Sequence, residues 1–507
     1  MKYNFLKVQN LKKLDEIENL INRADNIDLF SDVAGKVLKI LSDIKKNKSR
    51  SLLKFCKDFD NFYAKSIIDL KVTEKEFNQA RENVTVNYPK FVKSINVAAD
   101  NIRDYHTQQL KNESKSWFVS DQLQNKKLGQ KITPINRIGV YVPGGRFLYP
   151  SSVLMNIIPA QVAGVKEIIA ASPPQRNGKI SDFILYVFSL LNIKDVYKIG
   201  GAHAIAAMAF GIEEIKKVDK IIGPGNIYVT IAKKLVYGDV GIDSLAGPSE
   251  ILIIADKSAD PEFIAADLLS QAEHDPNALS LLLTNDEKIA EFSIEKVYEQ
   301  IDNFFVNNIN ITNTDFEISH KSSQRSSQRS SQRSSQRSSK RSGESTSESS
   351  INKSTQIISD SNSENKKNKY LNILIETLKN NCKIFYNPDL NFLIEASNLI
   401  APEHLEIMTE NFESVFEKIT NAGAVFLGKY SPVAIGDYIC GTNHIIPTAG
   451  NAKFSSPLGV YDFLKKTSIA YYSKDYLKKE AEFIEILAEF ENLVAHKKSI
   501  SIRIKDE

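Results

Sequence analysis

Four side chains in separate parts of the sequence are of types that bind metal ions. Gln271 and His274 lie three residues apart in LLSQAEHD, a spacing that puts both on one face of a helix. Asp437 lies in AIGDYICGTNH, and His496 lies in ENLVAHKK. Amide, carboxylate and imidazole donors bind zinc if the fold brings them together. A cap at the end of the helix is the other explanation of Gln271 and His274.

Glu403 and His404 stand side by side in the segment APEHLE. A carboxylate and an imidazole are the groups that most often transfer protons in general acid–base catalysis. Pro402 favours an extended or turn backbone for Ala401, so the pair lies near a turn. Two polar side chains that simply face water are the alternative. Together with a metal that fixes a substrate, the pair predicts an enzyme.

Short apolar runs alternate with helical segments from Ile138 onwards. RIGVYVPGG, EIIAASPP, VYKIGG, SEILIIAD and LSLLLT are such runs, and several end in Gly or Pro. The alternation predicts parallel sheets with right-handed crossovers and binding at the carboxyl ends of the strands. GPGN, ending at Asn226, precedes a helix whose N-terminus could hold an anion such as pyrophosphate; a tight turn without a ligand is the alternative.

The two ends of the chain are predicted to be mainly helical. Residues 1 to about 130 show apolar residues at three- and four-residue spacing. Ser151 or Ser152 is placed to cap the helix that follows the first glycine turn. The tail from Ser473 to His496 reads as a helix, and SISIRI after it reads as a strand.

The composition is that of a globular protein of two or more domains. The chain has 507 residues, of which 42% are hydrophobic and 25% charged. A net charge of +3 argues against nucleic acid as a partner. Three cysteines without C-x-x-C spacing predict a reducing, cytoplasmic location. No apolar run reaches the length of a membrane span.

Residues of about 310–368 interrupt the α/β pattern. SSQR recurs four times between Ser322 and Arg337, and SSKR follows. Because the repeat has no apolar residue that could enter a core, it predicts a disordered insert. It is interpreted as an expanded surface loop, with a basic tether for an acidic partner as the alternative.

Many separate segments, in this order, closely resemble the histidinol dehydrogenase family. The resemblance covers about residues 30–310 and 370–505. The segments that carry it are YVPGG, PSSVLMN, GGAHAIAAMAFG, VDKIIGPGN, AGPSEILIIAD, DLLSQAEHD, APEHLE, GAVFLG, GDYICGTNHIIPT, FSSPLGVYDFLKKTS and AHK.

The resemblance implies an oxidoreductase that converts L-histidinol through L-histidinal to L-histidine in two NAD-dependent steps, the last of histidine biosynthesis. It also implies one zinc ion per subunit and a cytoplasmic homodimer whose C-terminal segment reaches the partner's site. The residues that it assigns are Gln271, His274, Asp437 and His496 as zinc ligands, Glu403 and His404 as the catalytic pair, Ser249 and Glu491 with His404 and the zinc ligands at the substrate, and Tyr141 and Asn226 at NAD.

The family's fold implies an α/β protein with two Rossmann-like, doubly wound domains and small helical segments at both ends. The expected division is residues 1–30 as an N-terminal helical segment, 31–130 plus 250–450 as the first domain, 131–249 as the second domain, and 451–507 as a C-terminal dimerisation segment.

His203 departs from the family, which has Gln at this NAD contact. An imidazole can still donate one hydrogen bond, so His203 is retained as a cofactor-binding residue with altered affinity. Two other functions remain open from the sequence. One is a binding module that keeps the fold and uses the SSQR segment as its arm, and the other is an oxidoreductase for a different amino alcohol.

Overall fold

The computed structural model describes residues 3–21, 27–113, 115–121, 125–144, 148–245, 247–307 and 371–505. The SSQR insert lies outside these residues. The strands are β1 (Val8–Asn10), β2 (Trp117–Ser120), β3 (Lys126–Pro134), β4 (Arg137–Tyr141), β5 (Glu167–Ser172), β6 (Asp195–Lys198), β7 (Lys220–Ile222), β8 (Gly241–Ile242), β9 (Glu250–Ala255), β10 (Leu279–Thr284), β11 (Cys382–Tyr386), β12 (His404–Met408), β13 (Ala424–Leu427) and β14 (Leu464–Tyr472).

The α-helices alternate with these strands through most of the chain. They are α1 (Glu18–Ile21), α2 (Ile27–Asn47), α3 (Ser49–Asp60), α4 (Glu74–Asn87), α5 (Pro89–Asn112), α6 (Pro150–Ala163), α7 (Asp182–Leu190), α8 (Gly201–Phe210), α9 (Ile227–Val236), α10 (Pro261–Ala272), α11 (Glu287–Asn307), α12 (Leu390–Ile400), α13 (Phe412–Phe416), α14 (Val433–Tyr438), α15 (Lys474–Phe490) and α16 (Val494–Ile504). Residues 371–381 are also helical.

The contacts of the chain define two compact units. The first unit comprises Met1–Ile27, Ala246–Ile435 and Ile446–Pro457, and the second comprises Asp28–Leu245, Gly436–Ile445 and Leu458–Glu507. The expected division placed residues 31–130 with 250–450, whereas the contacts place them with the rest of the second unit. The physical reason is that α2 to α5 bury their apolar faces against the sheet of that unit.

The first unit is built on a six-stranded sheet in the order β1-β11-β10-β9-β12-β13. All of its strands are parallel. Along β9, Ile251 and Ile253 enter one apolar cluster, and Leu252 and Ile254 enter the other. Because successive side chains of a strand point to opposite faces, both faces of the sheet are covered and buried.

The second unit contains a five-stranded parallel sheet in the order β6-β5-β4-β7-β8. If the strands are numbered along the chain from β4, the order is 3-2-1-4-5. The strands β9 to β13 of the first unit have this same order. It is the Rossmann arrangement, in which the strand order reverses beside the first strand. The expected class, α/β with two Rossmann-like doubly wound domains, is therefore confirmed.

Two features of the chain ends differ from the sequence predictions. β1 lies within the predicted N-terminal helical segment and pairs with β11 at the edge of the first unit's sheet. The prediction that SISIRI is a strand is wrong, because these residues belong to α16. The hydroxyl of Ser501 is within hydrogen-bond distance of the Lys497 carbonyl and of Glu485 on α15. In the helix this side chain therefore has partners that it would lack on an exposed strand.

A three-stranded antiparallel sheet, β14-β3-β2, completes the second unit. It joins residues before the Rossmann-like sheet to residues close to the C-terminus. No helix of the described residues is long and apolar enough to cross a membrane.

Candidate active site

The amino ends of the strands bring three predicted site residues of the first unit together. Glu250 is the first residue of β9 and pairs with Leu279, the first residue of β10. His404 is the first residue of β12 and pairs with Ile251 on β9. Ser249 and Glu403 immediately precede these two strands. The sequence predicted binding at the carboxyl ends of the strands. These residues instead lie at the amino ends of the strands in their sheet.

The carboxylate of Glu403 is held by two donors from the start of β9. Its Oε2 accepts a hydrogen bond from the Ser249 hydroxyl at 2.7 Å and one from the Glu250 backbone N–H at 2.8 Å. The residue is only 5% exposed. Two donors on one oxygen fix the direction of the carboxyl group.

The imidazole of His404 is oriented by a backbone carbonyl. Its Nδ1 lies 2.8 Å from the Glu250 oxygen. A carbonyl can only accept, so Nδ1 carries the proton and Nε2 carries the basic lone pair. Nδ1 also lies 3.7 Å from Oε2 of Glu403. The backbone of Glu250 thus positions both members of the predicted pair.

Sequence reasoning missed the side chain of Glu250, a second buried carboxyl group at this edge. Its Oε1 accepts from the Ala449 backbone N–H at 3.1 Å, and its Oε2 accepts from the Glu403 N–H at 3.4 Å. The backbone of Gly423 packs directly against that of Glu403. A Cβ at position 423 would lie 2.5 Å from the Glu403 carbonyl oxygen, so a larger residue does not fit there without a shift. A buried acid at the start of an otherwise apolar strand was the available signal.

Gln271 lies in the last turn of α10 and His274 lies two residues beyond its end, both in the same unit as Glu403. Gln271 is 2% exposed, and its amide nitrogen has no hydrogen-bond partner among the described residues. His274 is exposed just beyond the helix, with its backbone N–H bonded to the Gln271 carbonyl at 3.3 Å. An amide that no bond fixes can present either its oxygen or its nitrogen to a ligand.

Three further predicted residues lie in the second unit. Asp437 is half-buried on α14, Glu491 is exposed directly after α15, and His496 is exposed on α16. The backbone carbonyl of Asp437 accepts from Nδ1 of His444 at 3.0 Å, and Nε2 of His444 lies 3.2 Å from the Ser152 hydroxyl.

Ser152 does not cap α6. That helix begins with Pro150 after Tyr149, and neither predicted serine precedes it. Instead, the hydroxyl of Ser152 bonds to the imidazole that holds the Asp437 backbone. His444 therefore links α6 to the backbone of Asp437 and has a positioning contact there.

The predicted NAD residues lie at the carboxyl edge of the five-stranded sheet. Tyr141 ends β4, and its hydroxyl accepts from the Gly201 N–H, at the start of α8, at 3.0 Å. Burial and, after it, the charge of Asp60 raise the pKa of Tyr141 to about 12, so the phenol keeps its proton at neutral pH. Because β4 and β7 are the strands at which the order reverses, this edge has the topology of a dinucleotide site.

The turn after β7 packs closely against the backbone at the end of β4. Gly223 has a φ of +110°, and a Cβ there would lie 2.1 Å from the Tyr141 carbonyl oxygen. Its N–H donates to Asp243 at 2.8 Å, and its carbonyl accepts from Lys233 at 3.0 Å. Lys233 and Asp243 also form an ion pair and are both buried. Lys233 and Asp243 thus form a clamp on the backbone of Gly223, and sequence reasoning did not predict it.

Asn226 begins α9, where its side-chain oxygen accepts from the backbone N–H groups of Tyr228 and Val229 at 3.1 and 3.2 Å. The cap leaves the amide N–H₂ of Asn226 as a donor at the helix N-terminus. His203 is 2% exposed on α8, and its Nε2 lies 2.7 Å from Oδ2 of Asp60. The same carboxylate oxygen accepts from the Gly200 N–H at 3.1 Å.

A protein-family model for histidinol dehydrogenase matches residues 24–325 and 331–504. Curated histidinol dehydrogenases from Carboxydothermus hydrogenoformans and Methanocaldococcus jannaschii are 37% and 39% identical to the chain over 495 and 499 residues. The alignments cover 96% and 98% of this chain, and 99% and 98% of those proteins. A crystal structure of histidinol dehydrogenase from Elizabethkingia anophelis matches with a TM-score of 0.78 at 33% identity, over 99% of this chain and 98% of that one.

The fold and the site define the class as an α/β protein of two Rossmann-like sheets with a buried Glu–His pair at one sheet edge. The family match and the near-complete alignments then give the assignment. The chain belongs to the histidinol dehydrogenase family.

Proposed function

We propose that this protein is a histidinol dehydrogenase that oxidises L-histidinol to L-histidine, through L-histidinal, in two successive NAD-dependent steps. These are the last reactions of histidine biosynthesis. The observation that carries the proposal is the buried pair of Glu403 and His404, both oriented by Glu250, in a chain of this family. A buried acid–base pair with fixed geometry is suited to repeated proton transfer.

His404 takes the hydroxyl proton of the alcohol in this proposal. Its Nδ1 donates to the Glu250 carbonyl, so Nε2 is the nitrogen that accepts the proton. The imidazolium that forms keeps the Nδ1 bond and remains close to the carboxylate of Glu403, which stabilises its charge. The ring therefore does not need to turn between the two steps.

Glu403 activates the water that adds to the aldehyde. The Ser249 hydroxyl and the Glu250 N–H fix the carboxylate through its Oε2, and the carboxylate held in this way would accept the proton of water. Burial excludes bulk water from the group, so a reactive aldehyde would be protected between the steps. A positioned base of this kind contributes about 10²–10⁴-fold to a rate.

Gln271, His274, Asp437 and His496 would hold one zinc ion per subunit. The donor set fits, since two imidazoles, a carboxylate and an amide oxygen suit a divalent ion of this class. The amide of Gln271 fits as well, because its buried nitrogen has no hydrogen-bond partner within the described residues that would hold the group in one orientation. When bound, zinc would fix the amine and imidazole of the substrate, and it has no redox chemistry of its own.

NAD would bind at the carboxyl edge of the five-stranded sheet and accept the hydride in each step. Gly223 has no side chain and its backbone lies against that of Tyr141. The turn before the N-terminus of α9 therefore offers backbone groups, which suit the binding of a phosphate. Tyr141 and Asn226 would contact the cofactor. His203 would act there through the Gly200–Gly201 turn, since its Nε2 is bonded to the carboxylate that holds Gly200.

The protein would act as a cytoplasmic homodimer, with Glu491 and His496 serving the partner's substrate site and Ser249 contacting substrate beside Glu403. An exposed apolar stripe supports the dimer. Phe483, Leu487 and Phe490 are 65%, 65% and 84% exposed and recur at three- to four-residue intervals on α15, and Val494, 78% exposed, begins the helix of His496. Exposed stripes of this kind are typical of interaction surfaces.

The test is NADH formation by the purified protein with L-histidinol, compared with other amino alcohols. We expect turnover with L-histidinol that is lost with a chelator and restored by zinc. Preferential turnover of another amino alcohol would show a different oxidoreductase with the same machinery. Absence of NADH formation with every substrate would contradict the proposal.

A further inference from the structure

Cys56, Asp60 and His203 form a buried cluster of metal-type donors in the second unit. Cys56 and Asp60 lie four residues apart on α3, and His203 faces them from α8. One ligand atom of each lies within 4.8 Å of the other two. The side chains of Asp60 and His203 are 7% and 2% exposed, and Cys56 is fully buried. Donors at i and i+4 of one helix share a face, so the pair is presented together to α8.

The three donors are chemically complementary. A thiolate, an imidazole and a carboxylate are the ligands that zinc and cobalt(II) accept in one site, and three protein ligands leave a position for water. The rings of Phe55 and Phe59 are stacked 5.6 Å apart, and the Phe59 ring lies 5.8 Å from that of His203. The two phenylalanine rings therefore cover one side of the cluster.

We propose that Cys56, Asp60 and His203 bind one divalent ion of the zinc class, at a site separate from Gln271, His274, Asp437 and His496. The two sets share no residue. Of the three residues, only His203 also has a part in the proposed function, near NAD, so the site does not depend on the proposed zinc centre.

Binding changes the protonation of the cluster in a defined way. Burial and, after it, the charge of Asp60 raise the pKa of the Cys56 thiol, so the thiol is protonated without an ion. The ion displaces that proton to solvent, and a thiolate–metal bond replaces the S–H bond. The hydrogen bond between His203 and Asp60 opens, the imidazole proton moves to Nδ1, and Nε2 binds the ion. No electron is transferred.

The location links the ion to the turn before α8. Asp60 accepts from the Gly200 N–H through the same oxygen that bonds to His203. An ion on this carboxylate would therefore fix the turn from one side. A hydrogen-bonded Asp60–His203 pair alone would also fix it, but that arrangement makes no use of Cys56.

Cobalt(II) distinguishes these two arrangements, because only a thiolate ligand gives the near-ultraviolet sulfur-to-cobalt charge-transfer absorption. The full-length protein, freed of metal and titrated with cobalt(II), should develop this absorption and reach its full value by two equivalents per chain, since the proposed catalytic site also takes one equivalent. Cys56→Ser should abolish it, and His203→Gln should weaken cobalt binding at this site at least tenfold. The matched control Cys440→Ser removes an exposed cysteine outside the cluster and should retain the absorption.

Absence of the absorption in the wild-type protein would overturn the proposal, and so would its persistence in Cys56→Ser. If Cys56→Ser does not fold, the wild-type and His203→Gln titrations decide in the same way. His274→Ala separates the site from the proposed catalytic zinc: it should lose histidinol oxidation and keep the absorption. Loss of the absorption in His274→Ala with its retention in Cys56→Ser would assign the thiolate to another cysteine.

Discussion

The hydroxyl of Ser249 donates a 2.7 Å hydrogen bond to Oε2 of Glu403, across 154 positions of the sequence. Parallel pairing of β9 with β12 creates this contact, because it sets the residues that precede the two strands side by side. The Glu250 N–H reaches the same oxygen at 2.8 Å. Ser249, which the family resemblance places in contact with the substrate, thus also sets the direction of the Glu403 carboxylate.

Ser249→Ala should lower kcat about 10-fold or more, because a hydrogen bond to a charged group contributes about 1.5–3 kcal/mol. The measurement is a double-mutant cycle with Glu403→Gln, in steady-state histidinol oxidation. If Ser249 acts through Glu403, the double variant should be little slower than Glu403→Gln alone. Fully additive losses would show that the serine acts on the substrate without the carboxylate.

Glu403→Gln should impair the aldehyde-to-acid step more than the alcohol step. The amide keeps the shape of the side chain but cannot accept the proton of water, whereas His404 still serves the alcohol. We expect a loss of about 10²–10⁴-fold with L-histidinal as substrate. The two half-reactions are measured separately with histidinol and histidinal, and equal losses in both would refute the division of roles.

Gly223→Ala should raise the KM for NAD and destabilise the protein. Its positive φ costs an alanine about 1–2 kcal/mol, and its Cβ would also meet the Tyr141 carbonyl oxygen at 2.1 Å. The matched control is Gly238→Ala, which has a φ of +108° but nothing within 4 Å of the added Cβ. Thermal melting should show the greater loss for Gly223→Ala, and only that variant should change the KM for NAD. Equal behaviour would mean that the close approach is not needed.

The half-buried Asp267 and the buried Glu406 should make the stability depend on pH. Burial raises the pKa of Asp267 to about 6, and burial and the charge of Asp267 hold that of Glu406 well above its usual range. A raised folded-state pKa means that the proton stabilises the fold. This stabilisation is full below the unfolded pKa, about 4, and is lost as the pH rises through 6 and beyond.

Glu406→Gln should therefore stabilise the protein at pH 8, on the order of 1–3 kcal/mol, and have little effect at pH 4. The amide oxygen can keep the 2.8 Å bond from the Val433 N–H. Melting temperatures at both pH values test this, with Glu299→Gln, on an exposed surface pair with Lys296, as the control. A loss of stability at pH 8 would show that the charged form is the favoured one.

Much of the fold could be predicted from the sequence, because apolar runs such as SEILIIAD are buried on both faces and carry a strong strand pattern. The strand that begins at His404 was not identified, since HLEIM follows Pro402 and Glu403 and itself contains the charged Glu406 in a run of five residues. The grouping of residues 31–130 was not predicted either. Amphipathic periodicity shows which face of a helix is buried but not which sheet it covers.

The candidate site was only partly accessible from the sequence. Residue types indicated Glu403 and His404, but their contacts to Ser249 and Glu250 arise from strand pairing between distant segments. The clamp of Lys233 and Asp243 on Gly223 and the bond between Asp60 and His203 are of the same kind. Short-range spacing carries no information on such contacts.

The central claim is that one active site combines Glu403 and His404 of one subunit with His496 of the other, and mixing two inactive variants tests it most directly. Glu403→Gln and His496→Ala, each nearly unable to form histidine from histidinol alone, should recover about a quarter of the wild-type rate of histidine formation when unfolded and refolded together in equal amounts. Half of the dimers are then mixed, and each mixed dimer has one intact site. Mixing Glu403→Gln with His404→Asn should recover nothing. A mixture of Glu403→Gln and His496→Ala that stays as inactive as its components would contradict the account.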